Sequence, residues 1–253
     1  MNLNFKEYGK GKTIVILHGL LGSLDNWSTI AKSLSTNYNI ITIDLPDHGK
    51  SDHTDLFSYT SIVQSLKDFL IKKKISRFSI IGHSMGGKVA IKYADLYPSN
   101  LDKLVIVDIS NKYYKTERFN HIFKAIFSID LKKINSRSEA SIIISSLIKN
   151  VGERNFILKN ITRNGNVFSW LPNIKLLASS IEKISERIDI KSQIKVETLF
   201  LKGENSIYID KSDLITLNND FFRYSLKEVK NSGHWIHAEN PTDFLTEVRS
   251  FIG

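Results

Sequence analysis

The 253-residue sequence predicts an α/β fold: a mostly parallel central sheet flanked by helices, with a helical cap inserted after the strand that ends at Asp108. Two observations carry that expectation. Short β-branched runs alternate with helix-period segments along most of the chain, as in strands joined by crossover helices. The runs are also apolar throughout rather than alternately polar, as strands covered on both faces must be.

Thr13 to Leu17 and Ile40 to Ile43 are the first two buried strands. Ile62, Leu66, Phe69 and Leu70 then mark one face of a helix, which ends in Lys72-Lys73-Lys74, where cations suit the helix dipole. Phe78, Ile80 and Ile81 form a third strand that enters Gly82-His83-Ser84-Met85-Gly86-Gly87, and Val89, Ala90, Ile91, Tyr93 and Ala94 leave it at helical spacing. Leu104 to Val107 is a fourth strand. Strand signals then nearly vanish. Amphipathic segments appear at Phe119 to Ile129, Ile142 to Ile148, Phe156 to Ile161 and Ile174 to Leu177, the second opened by Ser136 and Glu139 as a capping box. About 80 residues without a sheet strand far exceeds an ordinary connection. The expected division is therefore a core of residues 1–110 and 192–253 with a helical cap at 111–191. Val196 to Leu201 and Tyr224 to Val229 complete the sheet. Asn240 caps a last helix, with Pro241 at its first position and Phe244, Leu245, Val248 and Phe251 along its buried side.

Composition narrows the function classes. The 42% hydrophobic and 24% charged fractions are ordinary for a globular protein. With no cysteine, disulfides, thiolate metal sites and cysteine nucleophiles are excluded. Residues 1–11 lack the apolar stretch of a secretory leader, and no run is long enough to span a bilayer, so a cytoplasmic location is expected. The net charge of +9, from 35 Lys and Arg against 26 Asp and Glu, reads as lysines scattered over solvated helix faces. Nothing resembles a nucleic-acid-binding module. There is no H-E-x-x-H spacing, P-loop or dinucleotide fingerprint, so neither a metal nor a cofactor is expected.

The chemistry centres on Gly82 to Gly86. A G-x-S-x-G segment between a strand and a helix makes a nucleophile elbow, which lifts the serine hydroxyl out of a tight turn. Ser84 then needs a general base, and the base an orienting acid. Of seven histidines, His18 ends the first strand, His83 lies inside the elbow, His53 is in a polar loop and His121 falls on a cap helix. His48, in the loop Asp47 to Ser51, reads as structural at the rim of the site, and His237 as a packing residue. His234 follows Ser232-Gly233 directly after the last strand, on a loop from which an imidazole can reach Ser84. It is the expected base.

The ordered set His18-Gly19-Leu20-Leu21-Gly22, Gly82-His83-Ser84-Met85-Gly86 and Gly233-His234-Trp235 resembles the signature of the α/β-hydrolase fold over essentially the whole chain. More narrowly, HGLLGSLDN from His18, GHSMGGK ending at Lys88, GENSIYI from Gly203 and GHWIHAE ending at Glu239 look like YbfF-type bacterial esterases. The resemblance implies an oxyanion hole made by the backbone N–H groups of Leu20 and Met85, a role that glycine-rich turns suit by leaving amides unobstructed. Many members carry an aspartate three residues after the glycine that ends the penultimate strand. Here that glycine is Gly203 and the position holds Ser206. Asp108, at the carboxyl edge of the sheet, takes its place as the expected acid, as in YbfF-type enzymes by resemblance, with Ser206 as a secondary hydrogen-bonding partner of His234 and Glu204 as the weaker alternative.

The function expected is cleavage of carboxylic esters of short to medium acyl chain, or acyl thioesters, through an acyl-enzyme on Ser84. The fold also hosts C–C bond hydrolases, lyases of the menaquinone-pathway type, cofactor-free peroxidases and non-catalytic ligand-binding homologues. Aspartate-nucleophile chemistries are disfavoured by the serine itself. Phe119, Phe123, Phe127, Phe168 and Trp170 are candidates to line an apolar acyl pocket.

Overall fold

The computed structural model describes residues 1–165 and 167–253. Strands β1 (Phe5–Tyr8), β2 (Thr13–Leu17) and β3 (Asn39–Ile43) open the chain, with helix α1 (Ser28–Leu34) between the last two. Helix α2 (Tyr59–Lys72) leads into β4 (Phe78–His83), α3 (Met85–Leu96) and β5 (Leu101–Val107). Helices α4 (Asn120–Ser128), α5 (Arg137–Ile144) and α6 (Val151–Leu158) follow, then a hairpin of β6 (Ile161–Asn164) and β7 (Val167–Trp170), then α7 (Ile174–Ser179) and α8 (Ile181–Ser185). The chain closes with β8 (Glu197–Gly203), α9 (Asp213–Asp220), β9 (Tyr224–Val229), α10 (Ile236–Glu239) and α11 (Pro241–Ile252).

Seven strands form one sheet in the order β1-β3-β2-β4-β5-β8-β9, parallel except for β1. Its central strands are apolar on both faces because each face is covered. Val15 and Leu17 of β2, Ile80 of β4 and Leu104 and Ile106 of β5 pack in one core with Leu66 of α2 and Val89 of α3. Their neighbours Ile14, Ile16, Ile81, Val105 and Val107 pack in the other with Ile30 of α1 and Phe244 and Val248 of α11. The period-two alternation of a strand thus feeds two hydrophobic layers at once.

The segment between β5 and β8 is closed at its base. Tyr114 N–H donates to Ser185 O (3.0 Å) and Ile188 N–H to Asn111 O (2.8 Å), so its two ends are tied together. The buried Lys88 of α3 donates from Nζ to the carbonyls of Ser185 (3.0 Å) and Glu186 (2.5 Å), and Tyr59 Oη donates to Ile184 O (2.6 Å). Burial pushes the Lys88 ammonium down to about 7, opposed by the charge of Glu186. No helix among the described residues is long and apolar enough to cross a membrane.

Several elements differ from the sequence expectation. Ser136 does cap a helix by accepting the Glu139 N–H, but the Glu139 carboxylate accepts the Asn135 N–H (2.8 Å) and so does not complete a capping box, and the helix ends at Ile144 instead of running to Ile148. Helix α6 begins at Val151 because Asn150 caps it by accepting the Glu153 N–H, so of the apolar run at Phe156 to Ile161 only Phe156 to Leu158 belong to it, at its end, and Ile161 opens β6. The β6–β7 hairpin interrupts a segment expected to be helical. In its four-residue strands only Ile161 is fully buried, so they carry no buried apolar run to read. The edge strand β1, half-polar and antiparallel, escapes the same criterion.

Candidate active site

Parallel topology does most of the assembly. Strands β4, β5, β8 and β9 are consecutive neighbours in the sheet, and the residue or loop at the carboxyl end of each supplies one candidate group. Ser84 follows β4, Asp108 follows β5, Ser206 follows β8 and His234 follows β9. This is the edge at which open α/β sheets gather their ligands.

Ser84 sits at φ 52°, ψ −120°, a conformation that costs a non-glycine residue energy and is held by its surroundings. Its N–H donates to Val107 O (3.0 Å), and its carbonyl accepts from Gly87 (2.9 Å) and Lys88 (3.1 Å) at the start of α3. The flanking glycines are steric requirements. A Cβ on Gly82 would collide with Gly86 O, and one on Gly86 would collide with His18 O and meet Leu17 O at 2.6 Å. Only a chain without side chains at both positions packs this turn against β2.

Asp108 is fully buried and also at positive φ, 52°. Its N–H donates to Leu201 O (2.8 Å) and its Oδ1 accepts the Gly203 N–H (3.1 Å). His234 Nδ1 lies 2.7 Å from Asp108 Oδ2. That same oxygen accepts a short hydrogen bond from the Ser206 hydroxyl, so Ser206 meets the carboxylate, whereas the sequence reading joins it to the imidazole. Glu204 points away: it is exposed, accepts the Asn231 N–H (2.8 Å) and pairs with Lys230 at 3.1 Å.

Burial pushes His234 down and Asp108 up, each toward its neutral form; Arg118 adds to the shift of His234, while Ser206 and Gly203 pull Asp108 back. An imidazole that faces Asp108 with Nδ1 has its proton there and leaves Nε2 free to accept. Tyr208 stacks flat on the His234 ring at 3.7 Å and 12°, and the Arg118 guanidinium lies 4.1 Å from the Tyr208 centroid. His83 fixes the backbone of the same residue, its Nε2 lying 2.8 Å from His234 O.

Ser84 and His234 line one cavity of about 660 Å³, walled by Leu20, Phe119, Ile122, Phe156 and Trp235 among others. No hydrogen bond joins their side chains among the described residues. Leu20 lines the same cavity and Met85 follows Ser84 directly in the chain; the N–H groups of both donate to no acceptor among the described residues. Met85 is the first residue of α3, where an amide has no partner within the helix. Of the aromatics suggested by sequence, Phe119 reaches the cavity. Phe123 is buried, Phe127 is exposed, and Phe168 and Trp170 pack elsewhere against the core. Among the described residues no group of three His, Cys, Asp or Glu side chains is placed to hold a metal ion.

The remaining histidines have other work. His18 Nε2 accepts the Leu45 N–H (3.0 Å), and its Nδ1 lies 2.8 Å from Gly19 O. His48 is fully buried with Nδ1 on Pro46 O (2.9 Å), so it is structural as expected but does not rim the cavity. His237 stacks on Trp27 at 4.0 Å and 11°. Sequence reasoning missed Arg118 and Tyr208. Tyr208 lies inside the GENSIYI segment, close to Glu204 and Ser206, while Arg118 sits in a charged stretch that reads as solvated surface.

A family model described as alpha/beta hydrolase fold matches residues 12–130. The sn-1-specific diacylglycerol lipase ABHD11 of Mus musculus is 34% identical over 248 residues, covering 94% of this chain and 80% of that protein. Esterase YbfF of Escherichia coli K12 is 32% identical, covering 94% of this chain and 92% of its own length. A solved structure named as a marine microorganism esterase superimposes with a TM-score of 0.96 at 36% identity, covering 98% of both chains.

Proposed function

The chain belongs to the α/β-hydrolase fold family, and from that premise we propose that it is a cofactor-free serine esterase. It cleaves carboxylic esters or acyl thioesters of short to medium chain through an acyl-enzyme on Ser84. The observation that carries this reading is the half-buried His234 paired with the buried Asp108, 2.7 Å apart, opening on the cavity that holds the Ser84 turn. The esterase and lipase names of the relatives support the same reaction class.

His234 Nε2 takes the proton of the Ser84 hydroxyl as Oγ attacks the acyl carbonyl, and Asp108 stabilises the imidazolium. The Leu20 and Met85 amides hold the charge that develops on the carbonyl oxygen. The imidazolium then protonates the leaving alkoxide or thiolate. A water activated by the same imidazole attacks the acyl-enzyme and releases the carboxylic acid. Residues 111–191 act as a cap, because helices α4 and α6 supply the apolar walls that receive the acyl chain. A cavity of about 660 Å³ falls in the size range of small-ligand sites.

Labelling tests the reading. A fluorophosphonate probe is expected to modify Ser84, with the site located by peptide mass analysis, and p-nitrophenyl butyrate is expected to give a pre-steady-state burst of about one equivalent. Failure of the probe to label Ser84, with ester turnover intact, overturns the assignment.

A second expectation concerns pH. The Asp108–His234 pair titrates as one unit, and its competent form is the one with a carboxylate and a neutral imidazole. As pH falls the pair gains a proton and kcat/KM declines. The Ser206 hydroxyl favours the ionised carboxylate, so Ser206→Ala raises the pH at which this proton is taken up. The acid limb of the kcat/KM profile should move up by about one pH unit, the equivalent of one charge-assisted hydrogen bond. A uniform fall at every pH with an unmoved midpoint contradicts this role.

A further inference from the structure

Asn160 follows α6, 139 positions after Leu21 in the sequence, yet its Nδ2 lies 2.7 Å from the Leu21 carbonyl. Leu21 is the residue after Leu20. We propose that Asn160 is a positioning residue of the reaction, holding the Gly19–Gly22 turn in the geometry that aims the Leu20 N–H at the substrate oxyanion. This rests on the serine-esterase reading above and assigns to it a residue of the inserted segment.

The turn itself explains why an anchor is needed. In a trans peptide the C=O and N–H of one unit point in opposite directions. The Gly19 carbonyl is held by the Gly22 N–H (2.9 Å) and by His18 Nδ1 (2.8 Å), so the Leu20 N–H of the same unit is turned the other way. His18 donates from Nδ1 because its Nε2 is engaged by the Leu45 N–H. The next two residues must keep that orientation, and Leu21 does so at φ 57°, in the region that L side chains rarely adopt. Nothing intrinsic to a leucine favours this conformation. A fixed donor on its carbonyl does, by giving the oxygen a buried partner only while the turn stays in place.

Asn160 is well suited to be that donor because it is itself immobile. It is 4% exposed, its N–H donates to Ile157 O (3.1 Å), and its carbonyl accepts the Leu171 N–H (2.8 Å). Its amide also reaches Ile157 O at 3.2 Å. The same helix end carries Phe156 and Ile157 to the cavity wall. The segment that would grip the acyl chain is thus rigidly joined to the turn that would stabilise the transition state.

The test compares Asn160→Ala and the near-isosteric Asn160→Leu with the parent enzyme on p-nitrophenyl butyrate, every rate being expressed per site titrated with fluorophosphonate, so that only folded enzyme is counted. Leucine keeps the volume at this buried position but offers no donor to the Leu21 carbonyl. Expected is a fall in kcat of about 10- to 100-fold in both variants, a fraction of what losing an oxyanion donor outright costs. KM should stay within about twofold. Affinity for an alkyl trifluoromethyl ketone, whose adduct with Ser84 carries an oxyanion, should fall by the same factor as kcat/KM. In Asn160→Ala the acid limb of the pH profile should not move, because the His234–Asp108 pair is untouched. Titrated variants that turn over within twofold of the parent and bind the ketone equally well overturn the proposal for Asn160 alone. Absence of Ser84 labelling in the parent instead overturns the reading beneath it.

Discussion

Ser84→Ala is expected to lower kcat toward p-nitrophenyl butyrate by about 10⁶-fold, the scale set by removing the nucleophile from a triad that acts as a unit. The structural case for so clean an effect lies in the elbow. Ser84 makes its turn with backbone groups, its N–H on Val107 O and its carbonyl under α3. Its side chain donates no hydrogen bond among the described residues, so alanine removes the attacking oxygen and little else. The melting temperature should stay within a few degrees of the parent, and the burst should vanish. The residual rate should remain about 10³-fold above water, because the Leu20 and Met85 amides and the cavity still bind the tetrahedral form. An undiminished rate in this variant means that Ser84 is not the nucleophile.

Much of this arrangement is legible in the sequence because strong local signals coincide with simple topology. The β-branched runs at Ile14 to Leu17, Phe78 to Ile81 and Leu104 to Val107 sit in buried central strands, where period, burial and propensity agree. Ser84, Asp108 and His234 are each readable from a position just past the end of a strand, since parallel strands deliver their carboxyl ends to one edge. The register of the inserted segment is less legible. Its helices are short, and their bounds depend on the caps at Ser136 and Asn150 as much as on apolar spacing. Partners set by how a loop folds back over a long separation are less legible. Ser206 meets Asp108 and not His234, Tyr208 lies flat on the imidazole, and Asn160 reaches back to Leu21. Each depends on how a loop folds over the sheet edge, which periodicity does not encode.

Asp108→Asn is expected to cost about 10⁴-fold in kcat with little change in fold, because it sets the wrong tautomer on the base. The hydrogen bonds around the carboxyl leave the amide no good orientation. Oδ1 accepts the Gly203 N–H at 3.1 Å, and Oδ2 accepts from both His234 and Ser206. If the asparagine places its oxygen toward Gly203, its NH₂ faces His234 Nδ1, which must give up its proton and become an acceptor. The proton then moves to Nε2, the nitrogen that has to receive the Ser84 proton. If the amide is turned over, its NH₂ confronts the Gly203 N–H in a buried site, and two donors oppose each other. The loss should therefore appear in kcat with KM changed little, and raising the pH should not restore it, since no titration returns the tautomer. Glu204→Gln supplies the contrast: Glu204 is exposed and engaged with Lys230 and Asn231, so that variant should stay within about twofold of the parent. Near-normal turnover in Asp108→Asn together with a large loss in Glu204→Gln would move the acid to Glu204, and with it the strand from which the imidazole is oriented.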